Sequence, residues 1–227
     1  MDGNRRYGKA KYGAAGYLRG HYDGGVKLEH CIEWAASLRS SQSPPALQSL
    51  TVYAFSSENF SRPQRELDGL WDVFRTQAPS LADRCRRLNV RARILNTCGF
   101  SKFPDSVVAA LKKIEAGTAA CSGLSVNVCV GYSGSEDVCR AFESLSLLGS
   151  IPPSSLLPSS LLSHLQLPHQ LDLLVRTSGE TRLSNFALYN LAYAELLFVE
   201  KAWPEVTKED FMDWCEGYEA KERRYGK

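Results

Sequence analysis

The sequence predicts an α/β fold in which a largely parallel central sheet is flanked by helices, and three observations predict it. Short apolar runs suited to strands alternate with longer segments of helical periodicity. Two of the runs, LSVNVCV (124–130) and LDLLV (171–175), are apolar enough to be covered on both faces, as interior parallel strands are. The unusual polar segments directly follow strands, at the carboxyl ends where open parallel sheets bind ligands. At 227 residues the chain has the length of one medium domain, so residues 1–227 are read as a single unit.

In chain order, Leu28, Cys31, Ile32, Ala35 and Leu38 recur at helical spacing over 25–39, and the polar stretch 40–45 ends the pattern. LTVYAF (50–55) reads as a buried strand. The polar SSEN follows it, and Pro63 suits the first turn of a helix carrying Leu67, Leu70, Trp71 and Phe74 on one face. Residues 90–95 mix Val, Ala and Ile with two arginines, a composition for a sheet edge, whereas 124–130 and 171–175 belong in its interior. Helices are expected near 105–116 and 136–148, and a short strand over 196–199. Thr207, with Asp210 three residues on, starts a final helix whose inner face is Phe211, Trp214, Cys215 and Tyr218. The Ser-, Leu- and Pro-rich stretch 144–167 reads as a connector with one short helix.

Composition excludes several classes of protein. Lys and Arg number 27 against 25 Asp and Glu, which gives no general case for nucleic acid while leaving room for local phosphate sites. The 7 cysteines are odd in number and contain no C-x-x-C pair, so neither a disulfide framework nor a zinc knuckle is indicated; reduced thiols point to a cytoplasmic setting. No run approaches the ~18 apolar residues of a membrane span, which fits a soluble or peripherally bound protein.

Three polar loops should converge on one rim: SSENFSRP (56–63), GYSGS (131–135) and RTSGETRLSN (176–185). The last places Arg176 and Arg182 around a turn rich in Ser, Thr and Gly, which offers fixed positive charge and hydroxyl donors to phosphate oxygens; a solvated turn with two surface arginines is the plain alternative. DGNRRYGK (2–9) offers a carboxylate, an amide and two arginines, a set able to hold a phosphate and a magnesium ion together. Glu195 offers a second carboxylate to the same metal. There is no G-x-x-x-x-G-K-[ST] loop, and GYSGS misses the G-x-S-x-G nucleophile elbow at its last residue. His164 and His169 lie in or beside the connector without a paired cysteine or carboxylate motif.

Taken together, MDGNRRYGK (1–9), GH at 20–21, YAFSSENFSRP (53–63), DLLVRTSGETRLSNF (172–186), AYAEL (192–196), WPE (203–205) and RRYG (223–226) resemble the cis-prenyltransferase family, which includes undecaprenyl and dehydrodolichyl diphosphate synthases. The GYSG and NRRY blocks look closer to its eukaryotic members. The resemblance implies a magnesium-dependent enzyme that condenses isopentenyl diphosphate with an allylic diphosphate, farnesyl diphosphate being the expected starter. Asp2 would be the central acid, with Gly3, Asn4, Arg5, Arg6 and His21 around the allylic phosphates and Glu195 joining Asp2 at the metal. Arg62, Arg176, Arg182 and Ser184 would hold isopentenyl diphosphate. Asn59, with Ser56, would lie where the proton leaves, and Tyr7, Ser57, Glu58, Phe60 and Leu183 would be further substrate contacts. Arg224 and Gly226 match a motif that reaches toward a neighbouring subunit's site, which implies a homodimer. The helix stripe of Leu67, Leu70, Trp71 and Phe74 would either line a tunnel for the growing chain or be ordinary core.

The chain departs from the family's pattern in three places. Family members carry a strand before the Asp-Gly-Asn block, normally within the sheet, and here Met1 alone precedes Asp2. A sheet lacking that strand would expose two neighbouring edges, so the given sequence is expected to start downstream of the true beginning. The 131–135 loop lacks the family's Asn and Arg, and Tyr17 stands where a basic residue is common. A non-catalytic accessory subunit is the rival reading, against which the retained Asp2, Asn59, Arg176 and Arg182 argue. A phosphate-binding hydrolase would need an activated nucleophile that the sequence does not offer.

Overall fold

The computed structural model describes residues 1–41, 47–147 and 157–221. Its elements run α1 (Asn4–Tyr12), α2 (Tyr17–Ser41), β1 (Ser49–Ser56), α3 (Gln64–Arg87), β2 (Arg91–Leu95), α4 (Asp105–Thr118), β3 (Ser125–Tyr132), α5 (Gly134–Leu147), α6 (Pro158–His164), β4 (Leu173–Arg176), β5 (Glu195–Phe198) and α7 (Lys208–Glu219). The α/β class and all five strands stand as read from the sequence. Thr207 caps α7 by accepting from the Asp210 amide, as its spacing indicates.

Every strand pair is parallel. β3, buried from Val126 onward, is the centre of a β1-β3-β2 sheet, with the arginine-bearing β2 at its edge. The long apolar faces of α2, α3 and α4 provide the crossovers and cover that a parallel sheet requires, with α7 added to the same core. A second, smaller core joins Leu95, Cys129 and Tyr132 to Leu167, Leu174, Phe186 and Leu191.

β4 departs from its expected interior place. Among the described residues it pairs with β5 alone, in a separate two-stranded sheet, and β1 likewise has a single partner. Both β1 and β4 line one cavity of about 1520 Å³ along their whole lengths. Their amino ends are joined by the Ser49 hydroxyl and His169 Nε2 at 3.3 Å. One face is bridged by the Tyr53 and Phe186 rings, 4.9 Å apart. Among the described residues, β1 and β4 thus each keep one edge without a strand partner, facing the same cavity. The stripe on α3 is mostly core: Leu67 and Trp71 are buried, and Phe55, Phe60, Trp71, Phe74 and Phe103 pack ring against ring, while Leu70 alone of the four reaches the cavity.

The polar segment NRRYGKAKY lacks an apolar stripe, so α1 is not legible as a helix. It is held instead by close packing on α2: a Cβ added to Gly20 would lie 2.0 Å from the Asn4 carbonyl oxygen. Among the described residues no helix is long and apolar enough to cross a membrane.

Candidate active site

Asp2 is fixed where the carboxyl ends of β4 and β5 meet the chain's first residues. Its amide donates to Thr177 Oγ1 at 3.0 Å, and its carbonyl accepts from the Trp203 amide at 2.8 Å. Gly3 follows with φ 95°, a backbone that only glycine adopts freely, and a Cβ there would meet Ala202 Cβ at 2.7 Å. That turn aims the Asp2 side chain at β4. Asp2 Oδ2 accepts from Arg176 Nε at 3.0 Å and Nη2 at 2.7 Å, a two-toothed charge-assisted pair. Arg176 Nη1 reaches on to the Arg182 carbonyl and to Ser184 Oγ at 3.0 Å, so one guanidinium holds the curve of the RTSGETRLSN loop. Arg182 pairs with Glu180 at 2.5 Å, and Arg6 clasps Ser178 through its carbonyl at 2.6 Å and its hydroxyl.

Further lining of the same cavity comes from α1, α2 and the turn before α3. His21 is 9% exposed, and its neighbours there are Arg62, Arg5 and Glu66. Burial first, then the Arg62 charge, depresses its pKa to about 4, so the imidazole is neutral near pH 7. Asn4 Oδ1 is buried without a hydrogen-bond partner among the described residues. The sequence reading did not single out Glu66; its one available signal was the helical i, i+4 spacing from Arg62.

The SSEN segment forms a single helical turn over Ser57–Ser61, in which the Ser56 amide donates to Asn59 Oδ1 at 3.2 Å and the Arg62 amide to the Asn59 carbonyl at 3.1 Å. Asn185 ties this turn to the other loops. Its Nδ2 donates to Glu58 Oε1 at 3.0 Å and to Ser133 Oγ at 2.8 Å, while its Oδ1 accepts from the Ser135 amide. Burial raises the pKa of Glu58, but the donors led by Asn185 outweigh it and the net shift is downward. The three loops expected on one rim thus meet through Asn185, which the sequence reading quoted within a motif and gave no role.

Asp2, Gly3, Asn4, Arg5, Arg6, His21, Ser56, Glu58, Asn59, Arg62, Arg176, Arg182, Leu183 and Ser184 all line the one cavity. Tyr7 and Ser57 are not part of this lining: Tyr7 accepts from Lys11 Nζ at 2.6 Å, and Ser57 lies in the helical turn. Phe60 packs into the aromatic core against Phe103 at 4.9 Å. Glu195 is not brought to Asp2 within this chain: it pairs with Leu173 at the start of the β4–β5 ladder, the end opposite Arg176, and its carboxylate binds Lys221 Nζ at 2.5 Å. The sequence puts Glu195 just before its short strand; the parallel pairing with β4 then sets that end away from Arg176. Arg224 and Gly226 lie outside the described residues.

Comparison with known proteins identifies the family. The family model described as "Putative undecaprenyl diphosphate synthase" matches residues 1–226. The isoprenyl transferase of Aquifex pyrophilus is 33% identical over 227 residues, covering 100% of this chain and 93% of that protein. The ditrans,polycis-undecaprenyl-diphosphate synthase ((2E,6E)-farnesyl-diphosphate specific) of Escherichia coli strain K12 is 34% identical over 234 residues, covering 100% and 87%. Among solved structures, lavandulyl diphosphate synthase from Lavandula x intermedia in complex with dimethylallyl diphosphate superposes with a TM-score of 0.88 at 25% identity, covering 100% of this chain and 95% of that one. The two bacterial proteins give no support to the eukaryotic leaning read from the GYSG and NRRY blocks.

Proposed function

The chain belongs to the undecaprenyl diphosphate synthase family of prenyltransferases, and from that premise we propose that it condenses isopentenyl diphosphate with farnesyl diphosphate into a long-chain polycis-polyprenyl diphosphate such as dehydrodolichyl diphosphate. One observation carries the reading: the Asp2–Arg176 pair, the Arg5, His21 and Arg62 group around Glu66, and Asn59 all line one cavity. Two diphosphates side by side need this density of fixed cationic donors.

In this reading the guanidinium groups of Arg5, Arg6, Arg62, Arg176 and Arg182 orient the two diphosphates and stabilise charge on the departing one as the allylic carbon–oxygen bond breaks. The electron pair of the isopentenyl double bond closes the new carbon–carbon bond, and the proton leaves near Asn59 and Ser56. Asn59 Oδ1 is already committed to the Ser56 amide, which fixes the carboxamide for that place. Asp2 suits magnesium: Oδ1 has no protein partner among the described residues, and hard carboxylate oxygen with substrate phosphates is the donor set this ion takes. When bound there, magnesium supplies charge neutralisation at the leaving diphosphate. Glu195 joins this set only if another chain presents it. A homodimer belongs to the proposal, because the RRYG block matches a motif that serves a neighbouring site and Tyr193 and Leu196 lie exposed beside Glu195. We place the enzyme in the cytoplasm, with peripheral contact at the endoplasmic reticulum membrane to receive the apolar product.

Incubation of the purified protein with farnesyl diphosphate, labelled isopentenyl diphosphate and magnesium is expected to yield labelled polyprenyl product resolvable by chain length. Activity that appears only with a second protein would instead identify an accessory subunit, and release of phosphate without elongation would identify a hydrolase.

A further inference from the structure

Behind the pocket wall lies a carboxylate that makes the wall's geometry. Glu66 is 3% exposed and does not line the cavity, whereas Arg5, His21 and Arg62 do. One oxygen, Oε1, lies at the centre of all three: it accepts a hydrogen bond from Arg62 Nη1 at 3.1 Å and lies 3.5 Å from His21 Nε2 and 3.6 Å from Arg5 Nε. These partners come from the turn before α3, from α2 and from α1, so no single element sets their spacing. A buried carboxylate persists only against compensating positive charge, and the place of Glu66 in the first turn of α3 adds the favourable end of the helix dipole. Long arginine side chains, left alone, spread over many rotamers; a shared buried anchor restricts them to those facing the cavity.

We propose that Glu66 is a positioning residue, which through Oε1 holds Arg5, His21 and Arg62 in the arrangement that receives a diphosphate. This rests on the reading of the cavity as a diphosphate pocket. A diphosphate entering there meets donors already ordered, so binding does not bear the cost of arranging them. The sign of the effect separates positioning from simple charge balance. Removing a negative charge behind three donors makes the wall more positive and, by electrostatics alone, tightens anion binding; loss of positioning weakens it.

Calorimetric titration with inorganic pyrophosphate tests this in the wild type, Glu66→Gln, Arg62→Ala and the double variant, with melting temperature as a fold control. Glu66→Gln is expected to weaken pyrophosphate about 10-fold, and the same change in the Arg62→Ala background to cost less than about 3-fold, because one of its routes of action is gone. Equal or tighter binding by a folded Glu66→Gln, or the same factor in both backgrounds, overturns the proposal. If Glu66→Gln does not fold, Glu66→Asp keeps the charge but withdraws the oxygen by one methylene. It is then expected to bind about 5-fold more weakly, and unchanged affinity overturns the proposal. A wild type that takes no pyrophosphate ends the pocket reading and this inference together, whereas a binding wild type beside an unaffected Glu66 variant ends this inference alone.

Discussion

The two sheets are unequal partners. The β1-β3-β2 sheet has ladders from Ser49 to Ser56 and from Arg91 to Leu95, backed by four helices and a ring cluster. The β4–β5 sheet has one ladder from Leu173 to Arg176 and leans on a much smaller core. Between them run a few ties: Ser49 to His169, Tyr53 on Phe186, and Glu58 to Asn185. The chemistry-bearing groups gather at the carboxyl end of this seam, with Asp2 pinned to β4 and Arg62 carried by the stronger half. The difference teaches that the site is an assembly of two banks, one rigid and one lightly held, and that a ligand bridging both stabilises the weaker one by mass action.

Asp2→Ala breaks the assembly at its centre. It is expected to lower kcat by about 10²–10³-fold, the scale for removing one group that stabilises developing charge, in a protein that still melts cooperatively; elongation near the wild-type rate would remove Asp2 from its role. Phe186→Ala deletes the stacked bridge between the halves and is expected to cost about 3 kcal/mol in urea denaturation. A loss below about 0.5 kcal/mol would show that the seam is held by something else. Acid should act on the rigid bank through His21. Its folded pKa of about 4 lies below the unfolded 6.5, so the folded state binds fewer protons between those values. Stability is complete above pH 6.5 and falls as pH drops toward 4, by up to about 3 kcal/mol. Glu66, Arg62 and Arg5 face the ring, and His21→Gln should flatten this part of the stability profile. The smallest effect is expected at the amino end of the ladder. Lys221→Ala releases the half-exposed Glu195 and should cost less than about 1 kcal/mol, with pyrophosphate affinity unchanged. A tenfold change in affinity would show that the two ends of the ladder communicate.

The sequence made the repeating elements legible because their signals are local: period-two and apolar runs for β1 to β5, helical stripes for α2 to α5, and the Thr207–Asp210 cap for α7. α1 was hidden because its polar residues carry no stripe and its place is set by the glycine contact with α2. The converging loops were legible as motifs, and Arg176, Arg182, Leu183 and Ser184 line the same cavity as Asp2. Glu66 was not legible, since in QRELD it looks like any charged residue at a helix start and its burial depends on three elements folding together. Glu195 shows the opposite failure: a recognisable block fixed its identity and its place before the strand, but not the parallel ladder that sets this end away from Arg176. β4 reads as interior by composition, yet among the described residues it pairs with β5 alone.

Hydrogen exchange with and without inorganic pyrophosphate and magnesium tests the two-bank account most directly. Slowed exchange should appear together in the segments 1–6, 56–62 and 176–184, with β4–β5 gaining more protection than β2–β3. Protection confined to one bank, or absent while pyrophosphate is bound, would contradict a shared diphosphate pocket at the seam.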